Sequence, residues 1–229
     1  MVDVLRHGFW ESGDDPRPAY DAALDACSMA LVADPDLAAT HIEVGRAHRY
    51  WVSSGLAHGR WNEDTLEKAQ RHALAAIAAA PDNPTAHVLL GVTHRLAANH
   101  LSGSGEDPRG ELRMAVEAYR KAIDSRPSDS GAHMSLANAL LSLGEDARNR
   151  GDDSNLYFQQ AADAAYEAIE AEPSLIGAHV NLGIAQAQLA ISARERGTDA
   201  EAHFRQAATA LEEAIELNPL VEIATTNSG

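Results

Sequence analysis

The sequence contains few cysteine, lysine and aromatic residues. Cys27 is its only cysteine, so an internal disulfide and a CxxC-type metal site are both excluded. Lysine occurs only at Lys68 and Lys121, and 18 Lys and Arg residues stand against 34 Asp and Glu residues, for a formal net charge of −16. An acidic surface of this kind repels a phosphate backbone, so we expect no nucleic-acid partner.

Long apolar runs are also missing. No stretch approaches about 18 uncharged apolar residues, so the sequence predicts no membrane-spanning segment. Residues 1–12 lack the basic start and the apolar run of a signal peptide. We therefore expect a cytoplasmic protein without membrane insertion.

The abundant residues are those that favour helices. Hydrophobic residues make up 45% of the chain but aromatic residues only 5%, so alanine and leucine must build the interior. Alanine loses no side-chain entropy on entering a helix. This composition predicts an all-α protein.

A repeat of 46 residues runs through the sequence. It is marked by prolines at Pro35, Pro81, Pro127, Pro173 and Pro219. Five residues before each proline stands an alanine: Ala30, Ala76, Ala122, Ala168 and Ala214. A second alanine register contains Ala23, Ala69, Ala115, Ala161 and Ala207, and a glycine register contains Gly13, Gly59, Gly105, Gly151 and Gly197. Several residue positions that recur at the same spacing over four periods indicate a repeat protein.

Each period predicts two helices separated by a glycine turn and followed by a proline turn. Proline ends a helix, and glycine suits a left-handed helix C-terminus. We predict first helices at 37–57, 83–101, 129–149 and 174–196, and second helices at 16–33, 63–79, 109–125, 155–171 and 200–217. A short helix is expected within residues 2–11. Predicted N-caps, residues whose side chains bond the first backbone N–H groups of a helix, are Asp15, Asn83, Asp107, Ser154 and Asp199.

The first helices carry a pattern that resembles the tetratricopeptide signature W-x2-L-G-x2-Y. It is clearest at His87, Leu90, Gly91 and His94, and its frame recurs at 46-residue spacing. The resemblance covers about residues 15–219 and implies a right-handed α-solenoid of antiparallel helix hairpins. We expect a single solenoid over 1–229 of about four and a half repeats, with 1–14 a partial N-terminal unit and 220–229 a tail.

The sequence departs from the family in two respects. Its repeat is 46 residues long, whereas the family repeat is about 34, and we expect the extra residues to lengthen both helices. Stretched repeats of this kind resemble arrays in bacterial multidomain signalling proteins. Histidine also replaces the family's tryptophan at His41, His87, His133 and His179. We expect these imidazoles to be packed and hydrogen-bonded across the helix pair, since no HxxxH pair could chelate a metal from one helix face.

The family binds peptides along the concave face formed by its first helices, and the resemblance assigns a peptide-binding groove here. Its residues are Ile42, Arg46, Arg49, Tyr50, Val88, Val92, Arg95, Leu96, Met134, Asn138, Leu141, Val180, Ile184 and Gln188. We hypothesise that Arg46, Arg49 and Arg95 hold an acidic group of the partner. The alternative is that these arginines pair internally with Glu43 or face solvent.

These observations predict a protein or peptide-binding scaffold without enzymatic activity, cofactor or metal. The sequence contains no GK[ST] loop and no conventional catalytic arrangement. Self-assembly through incompletely capped solenoid ends is a second interpretation, and it would give a homo-oligomer. A histidine-based metal-binding protein or hydrolase is a third.

Overall fold

The computed structural model describes residues 17–57 and 61–218, and all regular secondary structure in these ranges is α-helical. The helices are α1 (Arg17–Ala33), α2 (Ala38–Ala57), α3 (Glu63–Ala79), α4 (Pro84–Gly103), α5 (Arg109–Ser125), α6 (Ser130–Asn149), α7 (Asn155–Ala171), α8 (Ile176–Glu195) and α9 (Glu201–Glu216). Each predicted helix in the described ranges is confirmed to within two residues at either end. The predicted helix within 2–11, the Asp15 cap, Gly13, Gly59 and Pro219 lie outside the described residues.

The extra length of the repeat resides in the helices. The first helices of the hairpins, α2, α4, α6 and α8, have 20 residues each, which corresponds to about 30 Å. The turns that join α4 to α5, α6 to α7 and α8 to α9 contain Gly105, Gly151 and Gly197 with φ of 76°, 78° and 69°. Glycine is required at these positions because L side chains rarely adopt this left-handed backbone.

The predicted N-cap is confirmed at Asn83, whereas α9 has its N-cap at Ala200, one residue after the predicted Asp199. The Asn83 side chain accepts hydrogen bonds from the N–H groups of Thr85 and Ala86. Asp107 and Asp199 each accept a bond from the N–H group two residues later. Ser154 occupies the predicted N-cap position of α7, but its side chain makes no capping bond. Asp153 instead accepts the N–H of Asn155 at 3.0 Å.

The chain divides into two compact units, Met1–Ser125 and Arg126–Gly229. In the first unit α2 pairs with α3 and α4 with α5, while α1 packs on α2 and α2 lies beside α4. In the second unit α6 pairs with α7 and α8 with α9, and α6 lies beside α8. A single array over the whole chain, with a right-handed twist, stays a prediction.

The alanine registers form the contacts between paired helices. Ala69, Ala115 and Ala161 are fully buried, as are Ala76, Ala122 and Ala168. Glycines on the first helices permit still closer approach, because a Cβ on Gly91 would lie 2.5 Å from Cε1 of the fully buried Tyr119. Small residues at these positions let two long helices pack along their length.

Candidate peptide-binding surface

The predicted groove residues of the first unit fall on the adjacent helices α2 and α4. Those that are partly exposed are Arg46, Arg49, Tyr50, Val88, Val92 and Arg95. We call this set the unit 1 surface. It combines three arginines with two valines and a tyrosine, so it offers both charged and apolar contacts to a ligand.

Three predicted groove residues are packed into the interior instead. Ile42 is 6% exposed and contacts Ala76 and Ala86, and Leu96 is 5% exposed and contacts Val52 and Leu66. Leu141 is likewise only 6% exposed. Their side chains stabilise the helix packing, and we correct their assignment from ligand contacts to core residues.

Arg46 is partly neutralised within its own helix. Its guanidinium donates a hydrogen bond to Oε1 of Glu43 at 3.1 Å, one turn earlier. The internal ion pair with Glu43, which the sequence offered as an alternative to ligand binding, is therefore present for Arg46. Both side chains are more than a third exposed, so the pair contributes little to stability.

Arg49 and Arg95 differ from Arg46 because no carboxylate in the described part of the chain lies within ion-pair distance of either. The Arg49 guanidinium lies over the Tyr50 ring, with 3.9 Å from Cζ to the ring centroid. Burial lowers the pKa of Arg49 from its ordinary value, and repulsion from Arg46 and Arg95 acts in the same direction, while Tyr50 opposes it. That Arg49 and Arg95 stand side by side, as the 46-residue spacing suggests, stays a prediction.

The predicted residues of the second unit fall on α6 and α8. Met134, Asn138, Val180, Ile184 and Gln188 are partly exposed, and we call them the unit 2 surface. The side-chain amides of Asn138 and Asn181 both donate to the backbone carbonyl of Met134, at 3.1 and 3.2 Å. Gln188 accepts a hydrogen bond from Arg148, a residue that the sequence pattern did not single out. This surface is apolar and amide-rich.

The four histidines of the 46-residue ladder make the same contact. In each, Nε2–H donates to the carbonyl of the proline six residues earlier: His41 to Pro35 at 2.8 Å, His87 to Pro81 at 2.7 Å, His133 to Pro127 at 2.8 Å and His179 to Pro173 at 2.8 Å. This partner belongs to the turn before the same helix and was not predicted. The ladder therefore fixes each proline turn against the helix that follows it. The polar contact expected across the helix pair is present as well for two members of the ladder: Nδ1 of His41 lies 2.9 Å from Nδ1 of His72 on α3, and Nδ1 of His179 lies 3.0 Å from Oε2 of Glu213 on α9.

A further histidine cluster in unit 1 was missed. His72 on α3 lies between His41 and His48 of α2: the Nδ1 atoms of His41 and His72 are 2.9 Å apart, and the rings of His48 and His72 are stacked at 5.7 Å. Nδ1 of His48 is bonded to the Tyr20 hydroxyl of α1 at 2.7 Å. His72 has no counterpart in the other repeats, so a search for repeated residues passes over it.

Metal-binding groups and membrane-spanning helices can be assessed for residues 17–57 and 61–218. No group of three or more His, Cys, Asp or Glu side chains in these ranges is placed to hold a metal ion. None of the helices described there has the length and apolar character needed to cross a membrane.

The hairpins, their alanine contacts and their proline turns define a fold of the tetratricopeptide type, and comparison with solved structures shows the same fold. The chain is similar to the MamA protein, with a TM-score of 0.57 at 17% identity over 88% of this chain and 84% of that one. It is also similar to a double mutant of MamA RS-1, with a TM-score of 0.57 at 14% identity over 94% and 89% of the two chains.

A third similar structure is YrrB, described as a TPR protein with an unusual peptide-binding site. Its TM-score is 0.53 at 16% identity, over 92% of this chain and 84% of that one. No protein-family model and no curated protein sequence matches the chain. At these identities the likeness shows the fold.

Proposed function

We propose that the protein is a scaffold that binds an extended peptide segment on its first helices, with an acidic group of that segment held in unit 1 by Arg49 and Arg95. The observation that carries this proposal is a pair of arginines with no carboxylate partner among the described residues, on a protein with a formal net charge of −16. Many acidic side chains are available in the sequence, yet none in the described residues pairs with these two guanidinium groups.

The chemistry of the unit 1 surface favours a carboxylate beside apolar side chains. Arginine binds carboxylates through paired N–H donors, and a partly buried position strengthens such a bond. Tyr50 already orients Arg49, which lowers the entropy lost on binding. Val88 and Val92 on α4 supply the adjacent apolar contact.

The likeness to YrrB supports the same interpretation, since that protein is described as having a peptide-binding site. Within the second unit, the unit 2 surface offers Met134, Val180 and Ile184 for apolar side chains and Asn138 for a peptide backbone. The partner that fits is therefore a peptide with an acidic residue and several apolar ones.

Selection from a random peptide library tests the proposal. We expect wild-type protein to select peptides in which Asp or Glu accompanies apolar residues. The double substitution Arg49→Gln/Arg95→Gln should lower the affinity for the selected peptides by about tenfold or more, because a charge-assisted hydrogen bond contributes about 1.5–3 kcal/mol. Fluorescence anisotropy with labelled peptides measures this loss.

The matched control is Glu43→Gln/Arg46→Gln, which removes an ion pair from the same surface without changing its net charge. It should leave affinity within about threefold, since Arg46 is already neutralised. Equal affinity of wild type and Arg49→Gln/Arg95→Gln, with circular dichroism showing both folded, would contradict the proposal. Selection of peptides without acidic residues would do the same.

Self-association is a second candidate, and a specific feature of α9 favours it. Phe204 and Ile215 are 41% and 56% exposed, whereas Phe158, one repeat earlier than Phe204, is fully buried. An apolar face of this kind is suited to a second copy of the chain. Sedimentation velocity should then show a mass that rises with concentration, and Phe204→Glu/Ile215→Glu should abolish the rise. A concentration-independent monomer would exclude this candidate.

A further inference from the structure

A basic cleft lies between α2 and α3 in unit 1, separate from the unit 1 surface. Its volume is about 570 Å³, and it is lined by His41, His48, Lys68, Arg71, His72 and Ala75. Five of these six side chains carry nitrogen atoms that can donate hydrogen bonds, and none is a carboxylate. On a chain with a formal net charge of −16, such a lining is unusual.

The basic residues of α3 are not required by the repeat. One period later the positions of Lys68, Arg71 and His72 are occupied by Met114, Glu117 and Ala118. In α9 the same positions carry Gln206, Thr209 and Ala210. Helix pairs of this protein thus pack without basic residues there, and the three occur together only beside α2.

Several donors in the cleft remain available to a ligand. Arg71 is exposed and has no carboxylate within ion-pair distance in the described ranges. Lys68 bonds to the exposed Asp64 of its own helix, at 2.6 Å, and to no other described residue. His41 donates its Nε2–H to the Pro35 carbonyl, so Nδ1 of neutral His41 accepts the Nδ1–H of His72. Within the described residues, Nε2 of His48 and Nε2 of His72 have no hydrogen-bond partner, and Nε2 of His72 donates once that imidazole is protonated.

Burial and neighbouring positive charges both lower the pKa values of histidines in the cleft. Burial lowers the pKa of His72, and repulsion from His41 and Arg71 lowers it further. Burial also lowers the pKa of His48, to about 4, with repulsion from His72, Lys68 and Arg71 exceeding the attraction of Asp64. A bound anion would reduce the repulsion among these groups.

We propose that the α2–α3 cleft binds a phosphate group, held by the side chains of Arg71 and Lys68, with the Nε2–H of protonated His72 as a third contact. A phosphate monoester has close to two negative charges and three strong acceptor oxygens, which matches several converging donors better than a carboxylate does. The volume of the cleft leaves room for a larger molecule to which the phosphate is attached. This site is independent of the peptide-binding proposal.

The first experiment is a titration with inorganic phosphate at constant ionic strength, followed by the histidine ring signals in NMR spectra. We expect saturable shifts at His72 and His48. Lys68→Gln/Arg71→Gln should weaken binding by about tenfold or more. The matched control on α5 is Arg113→Gln/Lys121→Gln, because Lys121 pairs with Glu117 at i,i+4 just as Lys68 pairs with Asp64.

The second arm uses sulfate, which stays dianionic across pH 5.5–8, so that only the protein titrates. Bound anion favours protonated His72, so sulfate affinity should rise as pH falls, and His72→Gln should flatten this rise. The ionisable groups around His72 that enter this balance are Tyr20 of α1, His41 and His48 of α2, and Asp64, Lys68 and Arg71 of α3.

Three results would overturn the assignment. One is the absence of saturable shifts with phosphate. Another is equal binding by Lys68→Gln/Arg71→Gln and its α5 control, which would show a non-specific charge effect. The third is acetate binding as tightly as phosphate at the same ionic strength, which would show that the cleft selects a single carboxylate charge.

Discussion

Gly91 offers a direct test of how closely α4 and α5 pack. Replacing it by alanine places a methyl carbon 2.5 Å from Cε1, 2.8 Å from Cδ1 and 2.9 Å from Cζ of Tyr119. Carbon atoms at optimal separation are about 3.5–4.0 Å apart, so the contact is too short by about 1 Å. Tyr119 is fully buried, so its ring cannot turn out into solvent without disrupting the packing around it.

Two effects of opposite sign decide the stability of Gly91→Ala. Overpacking of a core costs about 1–3 kcal/mol, and alanine is favoured over glycine in a helix by about 1 kcal/mol. Gly110 of α5 isolates the second effect, because a Cβ there meets no atom within 4 Å. We therefore expect Gly91→Ala to be less stable than Gly110→Ala by about 1–3 kcal/mol.

Urea unfolding followed by circular dichroism at 222 nm measures this difference. A double-mutant cycle with Tyr119→Leu identifies the clash as the cause, since removing the ring should abolish most of the penalty for Gly91→Ala. If Gly91→Ala is as stable as Gly110→Ala, or if its penalty persists without the Tyr119 ring, the close approach of α4 and α5 is not what requires glycine.

Two further predictions concern a helix cap and a buried histidine. Asn83→Ala removes the acceptor of two backbone N–H groups and should lower the free energy of unfolding by about 1 kcal/mol, whereas Ser154→Ala, which removes no capping bond, should change it by less than about 0.5 kcal/mol in the same urea titration. The pKa of His48 is about 4 in the folded protein, below its ordinary value of 6.5, so the unfolded chain binds more protons between these values. Stability should therefore fall as pH decreases from about 6.5 to 4, by up to about 3 kcal/mol from this residue, and urea titrations across that range should show a smaller fall for His48→Gln.

Helix positions could be predicted from the sequence because local signals repeat. Proline, glycine and capping residues act within a few positions along the chain, so their order fixes where helices begin and end. The missing side-chain bond at Ser154 shows the limit of reasoning from one site. Asp107, Asp153 and Asp199 are spaced at 46 residues, and each accepts the N–H two residues later. The repeat register therefore pointed to Asp153.

The candidate sites were less predictable, because side-chain burial depends on neighbours that are distant in sequence. Ile42 and Leu96 occupy the register of a family groove, yet Ala76 and Val52 enclose them here. The His72 cluster depends on two helices, α1 and α3, that both pack on α2 and make no packing contact with each other in the described residues. No local pattern along the chain encodes that arrangement.

Departures from the repeat are more informative about function than the repeat itself. Residues that recur in every period, such as the alanines and the proline-bonded histidines, are explained by packing and turn formation. Arg49 and Arg95 occupy a register that carries Leu141 and Ala187 in the second unit, so helix packing does not require arginine there. Lys68, Arg71 and His72 depart from their register in the same way. Because burying or crowding like charges costs stability, basic residues at these positions are best explained by an anionic ligand for each.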